Sequence, residues 1–386
     1  MAIFPIEEFD KYETPFYYYD VELLKRTLSA VGNMARNSGC HVHYAMKANA
    51  NPRILALVKE AGMGVDCVSG GEISAALEAG FEGSKIMFAG VGKADKEIEL
   101  ALEANIRCFN VESLPELINI NEIAKRKSVM ARVAVRVNPN IDAHTHHYIT
   151  TGVNGNKFGI ELEDLDEFVN TALVSENIDL CGVHFHIGSQ ILDKEPFKAL
   201  CGKVEDVLAR LERLGALITI VDVGGGLGID YDAPDEHPIP DFENYFQIFE
   251  NGLRLKPGQE LHFEPGRALV GQCGSLITKV LYVKESIGRK FVIVDGGMND
   301  LIRPALYQAH HKIENISSVS HVDDIYDVVG PICESSDCFG TDERLPIVSR
   351  GDYLALRSAG AYGEVMASSY NCRPLPRSIF SDNLFL

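Results

Sequence analysis

Short apolar, β-branched runs recur along the first two thirds of the chain, at residues 40–47, 64–69, 85–90, 107–113, 131–139, 180–189, 217–226 and 260–266. Between them lie stretches with apolar residues at helical spacing and glycine stops, such as 51–62, 71–80, 112–125 and 164–174. Eight β/α units in about 235 residues predict a (β/α)8 TIM-type barrel, with a doubly wound sheet as the alternative that the pattern alone leaves open. After residue 273 the texture changes to alternating runs at 275–283, 290–297, 325–332 and 352–362, separated by turn-like KESIGR (284–289) and SRGD (349–352). That pattern predicts a second, mainly antiparallel β domain. The strand-like PFYYYD at 15–20 is expected to pair into the same β domain, ahead of a helix that leads into the first unit. The predicted organisation is a barrel over 20–273 and a β domain built from 1–19 and 274–386.

With 36 basic and 55 acidic residues the chain carries a formal net charge of −19, which argues against nucleic acid and anionic membrane surfaces as partners. No apolar stretch is long enough to span a bilayer, and the acidic start MAIFPIEEFDKYETP is unlike a signal peptide, so a cytoplasmic location is expected. Nine cysteines, without a C-x-x-C pair, fit neither a disulfide framework nor a zinc ribbon.

In such a barrel the active site sits at the carboxyl ends of the strands, and the eight run ends are rich in polar groups. They offer Lys47, Asp66 with Ser69, Asn110, Arg136, His186 with Ser189, the Gly224-Gly225-Gly226 turn, and Glu264 with Arg267. A lysine after a strand is usually a surface residue. Lys47 ends an apolar strand ahead of a proline-containing loop, where a desolvated amine has a lowered pKa and forms Schiff bases. The glycine turn is either structural or a cradle that offers backbone N–H groups to a phosphate. The dinucleotide fingerprint fails because Ile229 stands where its third glycine belongs. A Schiff-base lysine, a phosphate cradle and an acid at another strand end together point to pyridoxal 5′-phosphate.

HYAMKAN (43–49), HFHIGSQI (184–191), DVGGGLG (222–228), EPGRALV (264–270), CESSD (333–337) and GAYGEVMASSYN (360–371) resemble, in order, the motifs of the fold-type III pyridoxal-phosphate decarboxylases. Within that family they are most similar to the members acting on meso-diaminopimelate, and HHYITTGVNGNKFGI (146–160) adds a further match. The resemblance implies that Lys47 binds the cofactor covalently, that His186 stacks on its ring, and that Glu264 faces the pyridine nitrogen and keeps it protonated. Ser189, Gly225, Gly226, the backbone of Glu264, Pro265, Gly266 and Arg267, and Tyr362 would hold the phosphate, with Asp66 and Arg136 in support. His43 and His184 read as packing or hydrogen-bonded residues. The cluster His144, Thr145, His146 and His147 fits an active-site loop better than a metal site, and no metal is expected.

Diaminopimelate has a distal carboxylate, which calls for cations, whereas ornithine or lysine presents only an ammonium. Arg267, Arg303 and Tyr307 supply two cations and a hydroxyl, Tyr362 joins them, and Glu334 is suited to the distal ammonium. Cys333 matches the family's catalytic cysteine, which the resemblance places across a homodimer interface in shared active sites; its plain reading is a buried, inert thiol. The implied activity is decarboxylation of meso-2,6-diaminopimelate to L-lysine, the last step of lysine biosynthesis. The rivals are a decarboxylase of the same fold acting on ornithine, arginine or carboxynorspermidine, and a non-catalytic decarboxylase-like binding protein. Intact Lys47, His186, Glu264 and Cys333 speak against the latter.

Overall fold

A computed structural model describes residues 4–141 and 156–384, so the 144–147 cluster lies outside the described residues. By contact the chain divides into two units, one of 28–228 with 241–266 and one of 1–27 with 229–240 and 267–386.

The first strand, β1 (Phe16–Tyr19), belongs to the second unit. The next eight close the barrel of the first: β2 (His41–Ala45), β3 (Gly64–Cys67), β4 (Ile86–Phe88), β5 (Cys108–Val111), β6 (Ala131–Arg136), β7 (Ile178–His184), β8 (Ile220–Asp222) and β9 (Glu260–Phe263). All eight neighbour pairs are parallel, β9 returning to β2. Met87, Cys108, Ala134, Cys181 and Ile220 form one buried cluster from five successive strands, small and medium side chains suited to a confined interior. Helices follow the strands where the period predicted them, at Pro52–Glu60, Gly70–Glu78, Leu114–Lys127 and Leu165–Val174. Their starts are written locally. Asn51, Ser69 and Ser113 each cap a backbone N–H two or three residues on, and Glu72 reaches back to the N–H of Val68.

At the amino ends of the strands three histidine rings stack, His41 on His262 and His43 on His262, with His43 Nε2 and His262 Nδ1 2.9 Å apart. Burial holds His43 down to about 4, against a carboxylate influence from Glu264 that only partly offsets it. The unfolded chain therefore takes up a proton near pH 6.5 that the folded chain refuses until about pH 4. This contribution to stability is complete above pH 6.5 and is lost as pH falls. Between pH 7 and 5, wild type should lose about 2 kcal/mol relative to His43→Gln, read from denaturant midpoints at each pH. A pH-independent difference would remove the buried-neutral assignment.

The second unit contains β1, β10 (Gly274–Ser286), β11 (Arg289–Val294), β12 (Ile313–Asn315), β13 (Asp323–Val329), β14 (Cys338–Pro346), β15 (Tyr353–Leu356) and β16 (Arg377–Phe380). Most pairs are antiparallel, but β1 with β16 and β11 with β13 are parallel. PFYYYD does enter this sheet, β1 lying antiparallel to β10 with Phe16 opposite Ile277. Phe9, Phe16, Tyr18, Ile277 and Tyr353 pack together on it. Segment 229–240 clusters here too, although the β/α period runs the barrel through it. The reason is polar: Tyr231 bonds Arg267 and Arg303, and Asp235 bonds Arg357, none of which a strand–helix pattern can reveal.

Candidate active site

The polar run ends gather at the carboxyl mouth of the barrel. Lys47 lies on a short 3-10 turn, Met46–Ala48, directly after β2, with Nζ 3.8 Å from Asp66 Oδ2. Its side chain keeps 38% of its accessible surface while Asp66 keeps 1%, so the desolvated partner is the acid and not, as expected from sequence, the amine. Burial raises Asp66 well above the usual carboxylate range, as does the Glu264 charge, against the opposing pull of Lys47. Arg136, at the end of β6, is buried against Glu112 at 2.8 Å and lies over the Phe158 ring.

Glu264 follows β9 and is buried. Its Oε2 lies 2.9 Å from His184 Nε2 and its Oε1 accepts from Asn110 Nδ2 at 3.1 Å. Burial works against its charge, but His184, Lys47 and His186 outweigh that and hold it well below the ordinary range. His184 is thus hydrogen-bonded, as read, yet its partner makes it part of the site. His186, two residues on, has Nδ1 accepting from Gly225 N–H at 3.4 Å, which leaves its ring proton on Nε2. Burial, then the charges of Lys47 and Arg136, keep this ring neutral well below the ordinary histidine range.

The glycine turn is tied on both sides. Ile191 N–H donates to Gly226 O and Gly228 N–H to Ile191 O, which fastens the Gly188-Ser189 loop to it. Gly224 and Gly226 have φ of +71° and +107°. A Cβ at Gly225 would come within 2.2 Å of Glu264 O, so only glycine lets the turn approach the Glu264-Pro265 backbone. Among the described residues the N–H groups of Gly226 and Leu227 donate to no protein acceptor. These residues fit pyridoxal phosphate: unspent backbone donors and Ser189 for a phosphate, a neutral imidazole for a ring face, an ionised buried acid for a protonated nitrogen, and a lysine.

In the second unit Arg267, Arg303, Tyr307 and Tyr362 form a cluster with Tyr231 and His311, two residues that the sequence pattern does not mark. Tyr231 Oη accepts from Arg267 NH1 at 2.6 Å and from Arg303 NH1 at 2.9 Å. His311 Nε2 accepts from Arg303 NH1 at 2.9 Å, its Nδ1–H donating to Arg357 O at 2.8 Å. Burial opposes ionisation of the Tyr231 phenol, but the two guanidiniums outweigh it and hold the group below its usual range. Burial and the Arg303 charge hold His311 down to about 3. Arg267 also lies 5.0 Å from the Tyr362 ring centre, and Tyr307 sits one helical turn beyond Arg303. Glu334 is exposed and bonded to Tyr370 and Ser336, and Cys333 is exposed, so the buried-thiol reading does not hold. Nothing local marks Tyr231, a tyrosine in a polar loop; His311 stands in a His-His pair eight residues after Arg303.

Residues 22–271 match the family model of the pyridoxal-dependent decarboxylases, pyridoxal binding domain. The diaminopimelate decarboxylase of Bacteroides thetaiotaomicron is 58% identical over 384 residues, covering 99% of each chain. The chain belongs to the diaminopimelate decarboxylase family. The Aquifex aeolicus member is 41% identical across 96% of this chain and 87% of its own. The crystal structure of the Helicobacter pylori diaminopimelate decarboxylase complexed with L-lysine superposes with a TM-score of 0.92 at 42% identity, over 98% of this chain and 94% of that one. Family membership brings pyridoxal phosphate with it, in agreement with the donors at the barrel mouth. No helix among the described residues of this diaminopimelate decarboxylase family member is long and apolar enough to cross a membrane.

Proposed function

We propose that the chain removes the carboxylate at the D-configured centre of meso-2,6-diaminopimelate, giving L-lysine and CO2. The observation that carries the choice of substrate is the pairing of Arg303. Its side chain is buried, and among the described residues it forms no ion pair, only bonds to a phenol oxygen and a neutral imidazole. A buried guanidinium without a counter-ion is costly, and a substrate carboxylate relieves that cost. Ornithine and lysine carry an ammonium there and would leave it uncompensated.

When bound, pyridoxal phosphate supplies a conjugated ring that accepts the electron pair left behind as CO2 departs. Lys47 Nζ would hold it covalently, and Gly225, Gly226, Ser189 and Tyr362 would hold its phosphate. Glu264 would keep a proton on the ring nitrogen, since an ionised buried carboxylate stabilises a positive neighbour. His186, neutral and fixed through Nδ1, would cover one face of the ring. Arg267, Arg303, Tyr307 and Tyr362 would receive the distal carboxylate, and Glu334 the distal ammonium. Cys333 is assigned to the neighbouring subunit's site in a homodimer, and the chain to the cytoplasm.

The test is a panel of meso-diaminopimelate, its LL isomer, ornithine and arginine with the cofactor-loaded enzyme and amine detection. Only the meso isomer should turn over efficiently; preference for ornithine would sink the reading. Arg303→Ala should lower kcat/KM for diaminopimelate by roughly 100-fold or more, with cofactor absorbance retained. An unchanged kcat/KM would remove Arg303 from substrate binding.

A further inference from the structure

Three buried groups at the ends of adjacent strands meet in one place: His184 on β7, Asp222 on β8 and Glu264 after β9, with one side-chain nitrogen or oxygen of each lying within 4.8 Å of the others. Asp222 has two different oxygens. Its Oδ1 accepts the Gly224 N–H at 2.8 Å, the residue that opens the glycine turn. Its Oδ2 is buried and has no donor among the described residues. A carboxylate oxygen can only accept, so an ionised Asp222 would leave a buried acceptor unsatisfied beside the Glu264 charge. Two carboxylates in one buried pocket do not both ionise.

We propose that Asp222 is a positioning residue that stands protonated at neutral pH, donating from Oδ2 to Glu264 while Oδ1 accepts the Gly224 N–H. The inference rests on the assignment of Glu264 to the cofactor nitrogen given above. Glu264 is then held by three donors, Asn110, His184 and Asp222, which favour its anion against the burial that opposes it. The other charged or titratable groups that act on the pair include Lys47, His186, Asp66, Tyr245, Cys108, His43 and His262, and burial, joined by the Glu264 charge, raises Asp222 well above the usual carboxylate range. The same side chain ties the acid to the glycine turn. Glu264 N–H donates to Gly224 O at 2.8 Å, so the main chain repeats the link that Asp222 makes through its side chain. One residue thereby fixes the spacing between the ring-nitrogen acid and the phosphate cradle.

A protonated acid and an amide present the same pair, one acceptor and one donor. Asp222→Asn should therefore recover most of what Asp222→Leu loses. In the leucine variant both the Gly224 N–H and the Glu264 oxygen lose their partner, and cofactor affinity and kcat should fall by about tenfold or more. The asparagine variant should stay within roughly threefold of wild type in both, with the cofactor absorbance unshifted. Asparagine as damaging as leucine would overturn the proposal, because it would mean that Asp222 acts as an anion. A second readout needs no turnover. In protein labelled with carbon-13 at the aspartate carboxyl, one resonance at the protonated position at pH 7 should vanish in Asp222→Asn, and its absence from wild type would refute the assignment even if a variant misfolds. Failure of the diaminopimelate reading is seen separately, as wild-type enzyme with bound cofactor and no turnover of that substrate.

Discussion

Lys47→Ala should leave a folded protein that lacks the visible absorbance of covalently held cofactor and turns over diaminopimelate more slowly by about 1,000-fold or more. One alternative lysine near the barrel mouth is Lys93, and its geometry excludes it. Its ammonium donates to Gly90 O and Asn110 O at 2.8 Å each and to Glu116 at 2.6 Å, with 1% of its side chain accessible. All three protons are committed in a closed site, and a nucleophilic amine needs a lone pair and room to reach a carbonyl. Lys47 instead keeps 38% exposure beside a buried acid whose own ionisation is disfavoured. Borohydride reduction followed by peptide mapping checks this. The label should fall on the Lys47 peptide in wild type and on no peptide in the variant. Label on Lys93 would reverse the assignment.

The barrel was legible in the sequence because its signal is local and repeated: short apolar runs that alternate with helical stripes. Lys47, His186 and the glycine turn were legible for the same reason, since each sits where a run stops. What escaped depends on pairs far apart in the chain. His184 bonds Glu264 across 80 residues, and Tyr231 bonds Arg303 across 72. Neither partner changes the apolar pattern around the other. Asp222 did leave a trace, an acid inside the apolar run LITIVDV, and a buried acid in a strand demands an explanation. The desolvation expected at Lys47 failed because run ends face the barrel mouth, where a long side chain stays partly open while the short Asp66 beside it is enclosed.

Mixing inactive Lys47→Ala with inactive Cys333→Ala should restore activity if the enzyme works as a homodimer with shared sites. Cys333 lies in an exposed turn between β13 and β14, next to Glu334, and neither side chain bonds to the arginine cluster of its own chain. In the proposed homodimer this exposed Cys-Glu pair would be open to the neighbouring subunit. The proposed two-fold dimer would have two equivalent sites, each drawing Lys47 from one chain and Cys333 from the other. In a heterodimer of the two variants one site loses both residues while the other keeps both. Subunit exchange, followed by mass, should then return up to about half of the wild-type activity per heterodimer. If each chain used its own Cys333, both sites of the heterodimer would stay defective and no activity would return. The experiment is decisive because neither parent protein contributes a background, so any recovered turnover comes from a site assembled from two chains.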